Sequence, residues 1–217
     1  MVFNYGKQHS LLSNWIAEIR DVTIQKDKLR FRKNIERIGE VISYEISKSL
    51  EFKNKNTTTP LGIHHSKVIQ QQPVIASILR AGIPLHNGLL NYFDNAENAF
   101  IAAYRKHKQN GDFEINLEYV SCPNLQNKTL IIADPMLATG ASIIKTIEHL
   151  QKYGTPAKII IVVVIASTFG IQQIIQNCGE NIDIYCGDVD EILSDTGYII
   201  PGLGDAGDLA FGEKLQS

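Results

Sequence analysis

Residues 130–142, Leu-Ile-Ile-Ala-Asp-Pro-Met-Leu-Ala-Thr-Gly-Ala-Ser, hold the densest chemistry in the chain. A short apolar run ends on Asp134, and a turn of small residues then opens into a helical pattern. In an open α/β sheet, ligands bind where strands end and helices begin. A small-residue turn at such a place points backbone N–H groups at an anion, with a helix N-terminus behind them. Thr139 and Ser142 add hydroxyl donors, and Gly140 lets a ligand approach the backbone closely. Asp134 repels phosphate, so its place beside the cradle implies a second ligand group. A carboxylate accepts hydrogen bonds from two neighbouring sugar hydroxyls, and a phosphate with a vicinal diol describes a ribose 5-phosphate. The competing reading is an ordinary strand–turn–helix corner capped by Thr or Ser.

Two arginines stand at comparable places. Arg80 follows the buried-strand pattern 74–79, and Arg105 follows the short apolar strand 99–104. In a parallel sheet both would project from the same edge as Asp134. Guanidinium forks match phosphate oxygens, so two of them aimed at one crevice ask for an anion, unless each pairs with a local carboxylate. Together with the cradle they imply more negative charge than one monophosphate carries, which points to a pyrophosphate on the same ribose.

The elements that must position these groups can be read from periodicity. Apolar residues at 31, 35, 38, 41, 42 and 46 predict a helix from about Leu29 to Leu50. The polar stretch 53–62 reads as a hairpin or arm. Pro84 suits a helix start running through Leu90. Residues 106–113, with Asn110-Gly111, read as a polar loop or hairpin tip. A strand at 129–133 leads through the turn to a helix at 141–153, which Gly154 and Pro156 stop. A strand at 158–166, a helix at about 168–177 and a strand at 182–186 follow. The glycine-rich tail from Gly197 to Gly212 reads as irregular. Strands alternating with helices predict an α/β domain with a mainly parallel sheet.

Composition narrows the class. At 217 residues and 44% hydrophobic content the chain can bury one substantial core, and one domain is expected. No apolar run approaches the roughly 18 residues of a membrane span, and the first ten residues lack a signal peptide's apolar region. Cys122, Cys178 and Cys186 show neither metal-ligand spacing nor a disulfide framework, which suits a reducing cytosol. Net charge is −2 but uneven: residues 1–110 hold 16 Lys/Arg against 9 Asp/Glu, and 111–217 hold 5 against 14. Seven cations face three acids between Arg20 and Arg37, either a solvated helix face or an anion-binding one.

At these residues the sequence resembles the uracil phosphoribosyltransferases. Asp134-Pro-Met-Leu-Ala-Thr-Gly-Ala-Ser142 is similar to that family's phosphoribosyl pyrophosphate (PRPP) loop. Most phosphoribosyltransferases of this fold carry two adjacent acids there; the uracil enzymes carry one followed by Pro, as here. Ile78-Leu-Arg-Ala-Gly82 looks like the pyrophosphate loop, and Tyr104-Arg105 like the second arginine site. Tyr198-Ile-Ile-Pro-Gly-Leu-Gly-Asp-Ala-Gly-Asp208, with Phe211-Gly212, is similar to the uracil-binding segment. Weaker resemblance continues through Arg20-Asp21, Phe31-Arg32, Tyr44-Glu45 and 59–62, in the right order over nearly the whole chain.

The resemblance implies an α/β type I phosphoribosyltransferase fold: a mainly parallel sheet flanked by helices, in a single domain over 1–217. A small hood would come from the N-terminal and C-terminal segments. It implies a cytoplasmic homodimer or higher homo-oligomer that makes UMP and diphosphate from uracil and PRPP in pyrimidine salvage. Asp134, Arg105 and Asp205 would be the catalytic residues. PRPP would be bound by Arg80, Arg105, Asp134, Pro135, Met136, Leu137, Ala138, Thr139, Gly140, Ala141, Ser142 and Asp205. Uracil would meet Ile199, Gly204, Asp205 and Ala206, whose backbone can complement its carbonyl, N–H, carbonyl edge. Mg²⁺ would be held mainly by substrate oxygens and water.

Two departures from the family pattern stand out. Lys106-His107-Lys108 follows Arg105 where polar and acidic residues are usual, and Leu209-Ala210 follows Asp208 where many relatives carry a cation. The alternative from another class is a pyrimidine-responsive RNA-binding regulator on the same scaffold, for which only the 20–37 stretch offers a basic face. A phosphoribosyltransferase for another base and a non-catalytic uracil-binding relative are nearer alternatives.

Overall fold

The computed structural model describes residues 1–107, 113–179 and 181–214. In chain order the elements are β1 (Val2–Asn4), α1 (Leu11–Arg20), α2 (Lys28–Ser47), β2 (Phe52–Thr59), β3 (Gly62–Ile69), β4 (Val74–Leu79), α3 (Ile83–Leu90), β5 (Glu97–His107) and β6 (Phe113–Ser121). There follow β7 (Thr129–Ala133), β8 (Met136–Leu137), α4 (Ala141–Leu150), β9 (Lys158–Ser167), α5 (Thr168–Cys178), β10 (Ile182–Asp190), β11 (Ile192–Leu193), β12 (Ile199–Ile200) and α6 (Ala206–Phe211). The main sheet runs β1-β10-β9-β7-β4-β5-β6, with β8 beside β9. Its described pairs are parallel except β5 with β6.

Both faces of this sheet are covered, which is why its central strands read as continuous Ile/Val/Leu runs. Alternate residues serve alternate cores. Ile75, Ile131, Ile160, Val162 and Val164 point to the side packed by α1, α2 and α3. Val74, Ala76, Leu130, Ile132, Ile161 and Val163 point to the side packed by α4 and α5. α2 starts where Asp27 accepts from the amides of Leu29 and Arg30, both at 3.0 Å, and it buries Phe31, Ile35, Ile38, Ile42 and Ile46 at helical spacing.

The elements differ from the sequence expectation at several places, and β1, α1, β6 and β8 have no counterpart in it. β5 runs on to His107, so Lys106 and His107 are strand residues rather than loop. β10 continues past Cys186 to Asp190 because β9 pairs with it as far as Ser167. The 53–62 arm is a longer antiparallel hairpin, registered from Phe52↔Ile69 to Thr59↔Gly62. The tail is not wholly irregular: β11 pairs with β12, and α6 settles on α2, where Arg32 donates to the Ala210 carbonyl at 2.7 Å. Among the described residues no helix is long and apolar enough to cross a membrane.

Candidate active site

β4 and β7 are neighbours in the sheet, and their last paired residues are Ser77 and Ala133. The loops that follow, 80–82 and 134–140, therefore leave the same edge side by side. Gly82 permits this closeness: a Cβ there would sit 2.6 Å from the Ala133 carbonyl and 2.6 Å from that of Ile78. The second loop is braced from behind by α5. Ser167 donates to the Ala138 carbonyl at 2.5 Å and accepts from the Gly170 amide at 2.8 Å. Gly140, at φ +80°, turns the chain into α4, whose first residues Ala141, Ser142 and Ile143 line the cleft, with the Ala141 amide donating to Thr139 Oγ1 at 3.4 Å.

The cleft between these loops encloses about 1440 Å³. Arg80, Asp134 and all of 136–142 line it, opposite 196–199 and 204–208 from the tail. Ile199, Gly204, Asp205 and Ala206 thus face the phosphate-type cradle across one cavity. Pro135 is the exception in the loop. It is buried and turned to β9, where its carbonyl accepts from Val164 (2.9 Å) and Ile165 (3.0 Å). Contrary to the sequence expectation, it supports the cradle from behind and does not line the cleft.

Asp134 is half-buried, and its Oδ1 accepts from the Met136 amide at 3.2 Å. Arg80 donates through Nη2 to Asp208 Oδ1 at 3.2 Å and to the Gly212 carbonyl at 3.1 Å. Its carboxylate partner is not local; it lies 128 residues on, across the cleft. Asp205 caps α6 by accepting from the Asp208 amide at 3.0 Å, and its other oxygen lies 3.5 Å from Lys214 Nζ. Arg105 falls within β5 rather than at its end, three residues past Ala102, the last β5 residue paired with β4. The Arg105 side chain lies outside the described residues, as does the 108–112 tip.

Sequence reasoning missed two cleft groups. Glu118 brings a carboxylate from β6, and Asp208 occupies Arg80. Glu118 stands in no spacing that marks it and reaches the cleft through the sheet order. Asp208 closes the 198–208 motif, but its pairing with Arg80 follows only from how α6 and the tail fold over the cleft. The thiols are poor candidates for nucleophiles, since burial pushes Cys186 up to about 12 and Cys122 up to about 11. The cations of 20–37 are largely engaged within the protein: Arg20 with Asp188 and Asp190, Arg30 with Glu18, Lys33 with Glu36, Arg32 with Ala210. That pattern fits the first reading of this stretch, a solvated helix face.

A phosphate-type cradle and an arginine loop on one edge of a mainly parallel sheet define a type I phosphoribosyltransferase fold. A hypoxanthine phosphoribosyltransferase from Staphylococcus aureus shares it, with a TM-score of 0.50 at 15% identity over 86% of this chain and 84% of that one. The AQ2163 protein from Aquifex aeolicus is much nearer, with a TM-score of 0.87 at 29% identity over the full length of both chains. The family model described as uracil phosphoribosyltransferase matches residues 6–213. A uracil phosphoribosyltransferase from Porphyromonas gingivalis is 50% identical over 214 residues, covering 99% of each chain. The chain belongs to the uracil phosphoribosyltransferase family.

Proposed function

We propose that this protein transfers the 5-phosphoribosyl group of PRPP to N1 of uracil, releasing diphosphate and forming UMP. The observation that carries the reading is the single cleft, where the 134–142 cradle and Arg80 face the 199–206 backbone. The backbone amides and hydroxyls of 136–142 would hold the 5-phosphate, and Asp134 the ribose hydroxyls. Arg80 and Arg105 would meet the pyrophosphate, Arg80 exchanging Asp208 for it. The C1–O bond breaks with its electron pair leaving on pyrophosphate, while N1 bonds to C1 from the opposite face and gives its proton to water or to the departing pyrophosphate. Catalysis then comes mainly from positioning and from cationic groups aimed at the departing charge.

The cleft suits a divalent cation bound with its substrate. Asp134, Asp205, Asp208 and Glu118 all line it, but among the described residues no three acids, histidines or cysteines gather into a metal-ligand group. Mg²⁺ dehydrates reluctantly and is commonly held by one or two carboxylates with substrate phosphates and water. Asp205 is the residue we assign to it, and the ion would neutralise charge on the leaving pyrophosphate.

A homodimer is part of the same reading. β2 and β3 pair only with each other, and every β2 residue is exposed. An isolated two-stranded hairpin is marginal in water, so a second copy of the chain would give this one a surface to pack on. The free thiols of Cys122, Cys178 and Cys186 support a cytoplasmic location.

The test is purified protein with PRPP, Mg²⁺ and each free base in turn, following nucleotide formation. UMP from uracil, with no nucleotide from cytosine or the purines, is the expected result. Absence of UMP overturns the proposal.

A further inference from the structure

At the far side of the base-facing segment, Arg20 ties three distant parts of the chain together. It is the last residue of α1, and its side chain is only 18% exposed. Nη1 donates to Asp190 Oδ2 at 2.8 Å, and Nη2 to Asp190 Oδ1 at 2.9 Å, a two-pronged pairing. Nη2 also donates to Asp188 Oδ2 at 2.9 Å, and Nη1 to the Gly202 carbonyl at 2.9 Å. The Gly202 amide in turn donates to Asp190 Oδ2 at 2.9 Å. Both polar backbone groups of one glycine are thus held by two side chains that hold each other.

Gly202 stands between Ile199 and Gly204, the residues assigned to the base. Its φ is +56°, and a Cβ there would come 2.2 Å from the Ile199 carbonyl, so the chain folds back on itself at this point. Neither Arg20 nor Asp190 lines the cleft among the described residues. A mostly buried ion pair of this kind is weak support for stability, because desolvation offsets much of the attraction. Its geometry has a different consequence. A neutral base read by backbone amides needs that backbone held within about 0.5 Å, and the segment 199–206 has little regular structure of its own to hold it.

We propose that Arg20 and Asp190 are positioning residues for base recognition, clamping Gly202 so that Ile199 and 204–206 present a fixed backbone to uracil. The inference rests on the reading of 199–206 as the uracil site. It assigns the clamp no direct contact with substrate. The clamp grips Gly202, beside Ile199, while the 134–142 cradle is held elsewhere and Asp205 is fixed separately as the cap of α6. Its loss therefore falls on uracil far more than on PRPP.

The experiment is steady-state kinetics on Arg20→Gln, Arg20→Lys and Asp190→Asn, varying uracil at saturating PRPP and the reverse, with thermal melting alongside. Ala206→Val serves as a direct probe of the base site. Arg20→Gln is expected to raise the KM for uracil about tenfold or more while the KM for PRPP changes by less than about twofold. Arg20→Lys should fall between, since an ammonium keeps the charge but lacks the planar fork. If Arg20→Gln does not fold, the same split is read from Arg20→Lys and Asp190→Asn. An unchanged uracil KM in folded clamp variants, or equal rises for both substrates, overturns the clamp. If Ala206→Val also leaves the uracil KM unchanged, the base site itself is misplaced; if it alone raises that KM, only the clamp fails.

Discussion

Asp134 and Arg80 bring opposite charges into one cleft, and each is predicted to act on a different part of the same substrate. Asp134→Asn keeps the shape and the bond from Met136 but loses the charge proposed to hold the two ribose hydroxyls. Turnover should fall at least about tenfold, the scale of a charged hydrogen bond lost in the transition state; near-normal activity would remove Asp134 from that role. Arg80 is engaged by Asp208 before substrate arrives. Asp208→Asn should free the guanidinium and tighten product inhibition by pyrophosphate about threefold to fivefold, consistent with an exposed ion pair worth under about 1 kcal/mol. Weaker inhibition would mean that Asp208 assists the anion site. Asp134 and Arg80 were legible from sequence because each closes an apolar strand. The Arg80–Asp208 contact was not, since 128 residues separate the partners.

At the level of elements, the site depends on how closely β4 and β7 deliver their loops. Gly82 keeps an ordinary φ, so only space demands glycine there. Gly82→Ala forces a methyl against two backbone carbonyls and must push the Arg80 loop away from β7. We expect a loss of about 1–3 kcal/mol in chemical denaturation and a KM for PRPP raised severalfold; a variant unchanged in both would show that the loops need not touch. The strands themselves were plain in the sequence. Val74–Leu79 and Thr129–Ala133 coincide with the expected ranges because a doubly covered strand is apolar throughout. β10 was cut short in the sequence reading because its last residues are polar, and Asp188 and Asp190 stay in the strand with Arg20 as their partner.

For the whole molecule, the hairpin of β2 and β3 stands outside the main sheet. Phe52 and Ile69 are paired at its base, so residues 53–68 can be replaced by an Asn-Gly turn without moving the core. If the proposed homodimer packs through this hairpin, sedimentation should show the parent as a dimer and that variant as a monomer. A dimer that survives the replacement would place the interface elsewhere. Activity measured beside it would show whether the cleft depends on the second copy.

By itself the sequence determined the α/β alternation, the cradle after Asp134 and the likeness to one enzyme family. All of these are written in short-range patterns: strand and helix periods, a turn of small residues, contiguous motifs. Tertiary structure alone decided which way Pro135 faces, that the tail closes with α6, that Asp208 holds Arg80, and that Arg20 holds Gly202 from 182 residues away. Those contacts depend on β10, β9, β7 and β4 lying in that order across one sheet. Strand order follows from how whole elements pack together, which no local run of residues encodes.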